Sequence, residues 1–405
     1  MKRISNFLVT VLVTTALAVS CLGATAPAQQ GPFETRPPSS DYKPAFANQT
    51  RAPAAHSNIA LDITSIVTGL EEPWAFQFLP DGRMIITETK GRIRIADHGR
   101  LSPPVIGTPA VTQNTIGGLL DLVLDPDFAK NQTIFFTYVE PRQGGNGTAL
   151  ARARLVDGTE PRLVDIKVIF RQMPTVDSSS HHGARILFAP DGTLFLTLGE
   201  RFLPEVMMSA QDLGTTLGKI VRLNKDGSPA HGNPFVGRAK AMPEIWSLGH
   251  RNPEGVAFDP VTHHLWSIEH GPKGGDELNR IEPGKNYGWP VITYGIEQAG
   301  KKIGDGITVK KGMEQPVYYW DPVLAPSSML FYTGKLFPAW RNNLFVGGLA
   351  GEKLSRLVLK NDRVVSEEWL LQDLHQRIRD VKQGPDDAIY IATDSGSIMR
   401  MAPKR

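Results

Sequence analysis

Four loop segments of the sequence carry more polar side chains than connecting strands requires. His181 lies in Ser178-Ser179-Ser180-His181-His182-Gly183-Ala184-Arg185, directly before a run of β type. An imidazole at a loop-strand junction can act as a general base near neutral pH, a role worth roughly 10²–10⁴-fold in rate. The plainer alternative is a hydrogen-bonded surface histidine. Arg251 and Asn252, in Gly249-His250-Arg251-Asn252-Pro253-Glu254-Gly255, set an always-charged guanidinium beside an amide. That pairing suits stabilising an oxyanion or polarising a carbonyl; a turn with a solvated arginine has the same sequence. His270-Gly271-Pro272-Lys273-Gly274-Gly275-Asp276-Glu277, followed by Asn286-Tyr287-Gly288-Trp289-Pro290, combines exposed carbonyls with carboxylates. Hard cations such as calcium take oxygen ligands of those kinds. The spacing is not that of an EF-hand, and a Gly-rich turn would read alike. In Arg377-Ile378-Arg379-Asp380-Val381, strand alternation puts Arg377 and Arg379 on one face. Two guanidiniums on one face need an anion between them, which a carboxylate-bearing ligand supplies. An Asp or Glu side chain supplies it equally. His263, His264 and His270 lack the helical His-x-x-x-His spacing of a zinc site, and Gly271 to Gly275 lacks the Lys-Ser/Thr ending of a phosphate loop.

The elements that position these loops repeat. A turn of Pro or Asp with Gly leads into a short β-branched run, as in Pro80-Asp81-Gly82 before Met84-Ile85-Ile86, and Pro190-Asp191-Gly192 before Leu194-Phe195-Leu196. Further copies begin at Asp125-Pro126, Asp259-Pro260, Phe337-Pro338 and Pro385-Asp386. A second apolar strand precedes each copy, and a third follows most of them. A strand-turn-strand unit recurring at this period predicts an all-β, six-bladed β-propeller with four-stranded antiparallel blades, whose longer loops gather on one face around the channel. A sandwich with similar hairpins is the alternative.

The chain has 405 residues, 41% of them hydrophobic, enough for a sizeable core and too much for disorder. A formal charge of +3 gives no field to gather nucleic acid, so no nucleic-acid partner is expected. Lys2 and Arg3 precede an apolar run from Phe7 to Ser20 and an A-x-A site at Ala26-Pro27-Ala28, which reads as a secretory signal over residues 1–28. A periplasmic or secreted location follows. The run is shorter than the ~20 residues that span a bilayer, so stable membrane insertion is not expected. Cys21, the single cysteine, falls inside this signal, and Ala18 argues against lipidation there. Residues 29–57, rich in Pro, Ala, Ser and Gln without periodicity, read as a poorly ordered leader, and 58–405 as one propeller.

Together the four segments resemble the glucose/sorbosone dehydrogenase family, in particular its bacterial aldose sugar dehydrogenases. The likeness runs from Gly69-Leu70-Glu71-Glu72-Pro73-Trp74 through Gly117-Gly118-Leu119-Leu120-Asp121 and Gly218-Lys219-Ile220-Val221-Arg222-Leu223 to Arg377–Val381. It implies a propeller that oxidises aldoses to lactones with pyrroloquinoline quinone and calcium, passing electrons to an external acceptor. By that resemblance His181 is the catalytic base, and Arg251 and Asn252 hold the quinone. Arg377 and Arg379 bind its carboxylates. The carbonyls of Gly271 and Pro272 ligate the quinone-bound calcium, and Glu277 and Tyr287 belong to a further calcium site. Three positions depart from the family's pattern: Ile116 where glutamine is usual, Ala350 where lysine is, and Ser180 where glucose-oxidising members have aspartate. The first two take a hydrogen-bonding group and a charge from the expected quinone pocket. A calcium-dependent lactone hydrolase and a non-catalytic propeller that binds a glycan or protein are the competing readings.

Overall fold

The computed structural model describes residues 31–112 and 116–404. The expected signal with Cys21 lies outside the described residues. Among them the strands form six four-stranded antiparallel sheets in a ring, the propeller expected from the repeats. Five blades take consecutive strands, from Pro73–Phe78 to Arg363–Leu370. The sixth closes the ring: Leu61–Val67 pairs with Ser397–Pro403, so the first and last strands share one sheet. Blade faces meet through apolar layers, as where Ile85 and Ile93 pack with Leu122, Ile134 and Phe136. A sheet buried on both faces only by its neighbours explains the short, near-continuous apolar runs.

The innermost strands are Pro73–Phe78, Leu119–Leu124, Gly183–Phe188, Pro253–Phe258, Pro326–Phe331 and Ile378–Gln383. Every one of them carries one extra residue against its neighbour near its start. Such bulges kink a strand and re-aim side chains. Here they turn Arg185 toward the channel axis. Its Nη1 donates to Asp121 at 3.3 Å and Asp380 at 3.2 Å, its Nε to the Glu254 carbonyl at 2.9 Å, and its Nη2 to the Ser327 carbonyl at 2.8 Å. The guanidinium also lies 4.1 Å from the Trp74 ring. Burial pushes the Asp121 carboxyl up, and the Arg185 charge opposes that rise.

The leader expectation is corrected for residues 31–57. This stretch crosses blades four and five with specific bonds: Ser39 N–H donates to Asp321, Gln49 Nε2 to the Pro316 carbonyl, and Arg51 to the Glu34 and Asp321 carbonyls. Phe33 stacks on Trp369, and Gln49 and Ala52 are fully buried. The segment lacks periodicity because the blades, rather than strands of its own, satisfy its backbone groups.

Arg185→Leu leaves two buried carboxylates without their shared cation, a change that costs about 3–5 kcal/mol. Denaturant unfolding reads it as a clear drop in midpoint. An unchanged midpoint would show that Lys382, 3.6 Å from Asp380, suffices alone.

Candidate active site

The ends of the strands next to the bulges form the wall of a cavity of about 410 Å³, within the range of roughly 300–1,000 Å³ typical of small-molecule sites. Its lining includes Trp74, Ile116, His181, Asn252, Glu254, His270, Leu349, Arg377, Arg379 and Asp394. The blades contribute by one rule. Residues just beyond the last paired positions of the two inner strands face the cavity, so Asn252 stands beside His270, and Arg377 beside Asp394.

In the hairpin of Gly183–Phe188 and Leu194–Leu198, His181 reaches the cavity and Glu200 is buried behind it. Each lies two residues beyond the paired Gly183 and Leu198, and His181 Nδ1 is 2.6 Å from Glu200 Oε1. The backbone there is tight. Gly183 has φ +64°, and a Cβ on Gly199 would overlap the His181 carbonyl. Asn252 Oδ1 accepts from the Gly183 N–H at 3.0 Å and fixes the turn from the next blade. Burial first, then the Arg251 charge, keeps the His181 imidazole neutral by holding its pKa well below the ordinary value. Burial pushes Glu200 up to about 7, against the pull of Arg251. When Glu200 is ionised, Nδ1–H donates to it and Nε2 carries the lone pair. Nε2 has no hydrogen-bond partner among the described residues, and the residue lines the cavity. That is the arrangement of a general base.

Arg377 and Arg379 converge, although not by plain alternation. Arg377 lies one residue before the strand and Arg379 sits at its bulge. Asp394 is the anion between them: it accepts from Arg377 Nε at 2.8 Å and from Arg379 Nε at 3.0 Å, and the two guanidiniums hold its carboxyl low against the effect of burial. Both Nη groups of Arg377 remain without a hydrogen-bond partner among the described residues, so a ligand carboxylate can still be met there. Glu254 Oε2 is buried and unpartnered, 3.7 Å from Arg379 Nη1 and 3.9 Å from His270 Nε2.

The other expected residues fall elsewhere. Arg251 does not line the cavity. Its guanidinium is buried between Phe202 and Trp289, 5.6 and 5.1 Å from their rings, and its Nη1 donates to the Gly271 carbonyl at 2.6 Å. Gly271, Glu277 and Tyr287 share with it a void of about 10 Å³, which Pro272 does not line. Burial and the neighbouring Glu269 carboxylate push the Glu277 carboxyl well up. Asn279 Nδ2 bridges the two carboxylates at 2.9 and 3.0 Å. The Tyr287 hydroxyl is committed to the Arg280 carbonyl and the Glu282 N–H, which leaves its backbone carbonyl as the oxygen it can offer a cation. Among the described residues no group of three or more His, Cys, Asp or Glu side chains is arranged to hold a metal. Of the two departures in the expected quinone pocket, Ile116 lines the cavity, whereas Ala350 is exposed and its neighbour Leu349 lines it. Sequence reasoning missed Glu200, Glu254 and Asp394. The hairpin register would have found Glu200 and Asp394, since each stands across from a residue already singled out.

A family model described as Glucose / Sorbosone dehydrogenase matches residues 70–400. The aldose sugar dehydrogenase YliI of Escherichia coli is 42% identical over 341 residues, 83% of this chain and 91% of that protein. The crystal structure of the soluble aldose sugar dehydrogenase from Escherichia coli in the apo form superposes with a TM-score of 0.81 at 41% identity, covering 85% of this chain and 100% of that one. The PQQ-bound aldose sugar dehydrogenase of Streptomyces coelicolor gives a TM-score of 0.70 at 27% identity, covering 85% of this chain and 99% of that one.

The histidine ring reports its own tautomer. Nitrogen NMR of His181 is expected to show Nε2 losing its proton as pH rises through about 7, following Glu200, and Glu200→Gln is expected to abolish that step. A step that persists in the variant would assign the titration to another group.

Proposed function

The chain belongs to the glucose/sorbosone dehydrogenase family, and from that premise we propose that it oxidises the anomeric hydroxyl of aldose sugars to lactones. The observation that carries this reading is the free Nε2 of His181 at the wall of the cavity, its ring kept neutral by burial and the Arg251 charge and oriented by Glu200. Pyrroloquinoline quinone, when bound, supplies the acceptor for the hydride that leaves C1. The residues present suit such a group: the Arg377 Nη donors meet carboxylates, Trp74 offers an aromatic wall, and the volume is adequate.

His181 Nε2 takes the proton of the anomeric hydroxyl as the C1–O bond becomes a carbonyl. Glu200 accepts from Nδ1–H throughout and stabilises the imidazolium that results. Asn252 keeps the His181–Gly183 turn in place. Arg251 acts from behind the wall, where its charge disfavours protonation of His181 before substrate arrives.

Calcium belongs to the proposal on the Glu277 side. A buried carboxyl beside a second carboxylate is relieved by a hard dication. A cation on the Gly271 carbonyl has first to displace the Arg251 guanidinium, so the expected pair of carbonyl ligands is not preformed. An exported location and an external electron acceptor complete the reading.

Purified protein given quinone and calcium is expected to reduce a dye with aldoses, and chelation is expected to stop it. His181→Ala is expected to lower kcat roughly 10²–10⁴-fold while the quinone absorption band remains. No turnover and no quinone band at saturating cofactor would overturn the reading.

A further inference from the structure

Beside His181 stands an aromatic ring that the cavity wall does not require. Phe202 is 56% exposed, yet its ring centroid lies 4.6 Å from that of His181. The same ring lies 5.6 Å from the Arg251 guanidinium, so it stands over both the base and the charge behind it while much of its surface stays in water.

The backbone supplies a second observation. Arg201 and Phe202 both have positive φ, +78° and +55°, conformations that are costly for residues with a Cβ. Such a turn persists only when its surroundings hold it. Here the Glu200 N–H donates to the Arg251 carbonyl at 2.9 Å, and Glu200 Oε2 accepts from the Phe202 N–H at 3.1 Å. Arg201 is fully buried and donates to the Ser178 and Ser180 carbonyls and to Asn146 Oδ1. One strained turn therefore presents both the partner of the base and the exposed ring.

We propose that Phe202 is a specificity-determining platform for the sugar, its ring taking the C–H face of an aldopyranose while the anomeric hydroxyl lies on His181 Nε2. This rests on the sugar-oxidising reading above. The negative face of an aromatic ring attracts the polarised C–H bonds of a pyranose, and an exposed, pre-positioned ring loses little freedom when it binds. The substrate class is thus ring-form aldoses with an uninterrupted C–H face.

The test uses the quinone- and calcium-loaded protein with 1,5-anhydro-D-glucitol, which keeps the ring and lacks the anomeric hydroxyl. Saturation-transfer NMR, irradiating aromatic protons, is expected to mark its ring C–H protons in the parent, to lose most of that transfer in Phe202→Ala and to keep it in Phe202→Trp. In dye assays Phe202→Ala is expected to raise the KM for D-glucose about tenfold and to change kcat less. Unchanged transfer and KM in a parent that oxidises glucose would overturn this proposal alone. A fall in kcat at constant KM would overturn it too, because the ring would then serve His181 and not the sugar. Absence of glucose oxidation by the parent would count against the sugar-oxidising reading, and the NMR transfer would still decide the platform.

Discussion

Arg185 meets a group from each of the other five blades: Trp74, Asp121, the Glu254 and Ser327 carbonyls, and Asp380. A buried guanidinium is tolerated only when its donors are matched and its charge is balanced. That condition is met only when the ring is closed with all innermost strands in register. Apolar faces between blades supply the bulk of the burial, but they are similar from blade to blade. The polar hub is what distinguishes this closure from others of like hydrophobicity.

The hub and the cavity share one device. The extra residue in every innermost strand turns some side chains down to Arg185 and others up to the cavity wall. Trp74 does both, since it packs on Arg185 and lines the cavity. Glu254 offers its carbonyl to Arg185 and its carboxylate to the neighbourhood of Arg379. The stability of the ring and the placement of the reactive side chains are thus linked through the same short stretch of each strand.

The propeller was legible in the sequence because its repeats carry turn chemistry and strand pattern together. His181, Asn252, Arg377 and Arg379 were legible because they lie at loop-strand junctions, and all four line one cavity. Arg251 also sits at a junction, but its long side chain runs behind the wall to the Gly271 carbonyl. The docking of residues 31–57 was not legible, since its partners lie hundreds of residues away and leave no local pattern. Glu200 was hidden for a related reason, as its importance arises from hairpin register and not from its neighbours in sequence.

The most direct measurement is a crystal structure of the protein with quinone, calcium and a sugar bound. The quinone is expected in the cavity beside Trp74, with a carboxylate on Arg377 and the anomeric hydroxyl on His181 Nε2. A quinone bound on another face, or a sugar whose anomeric carbon lies away from His181, would contradict this placement.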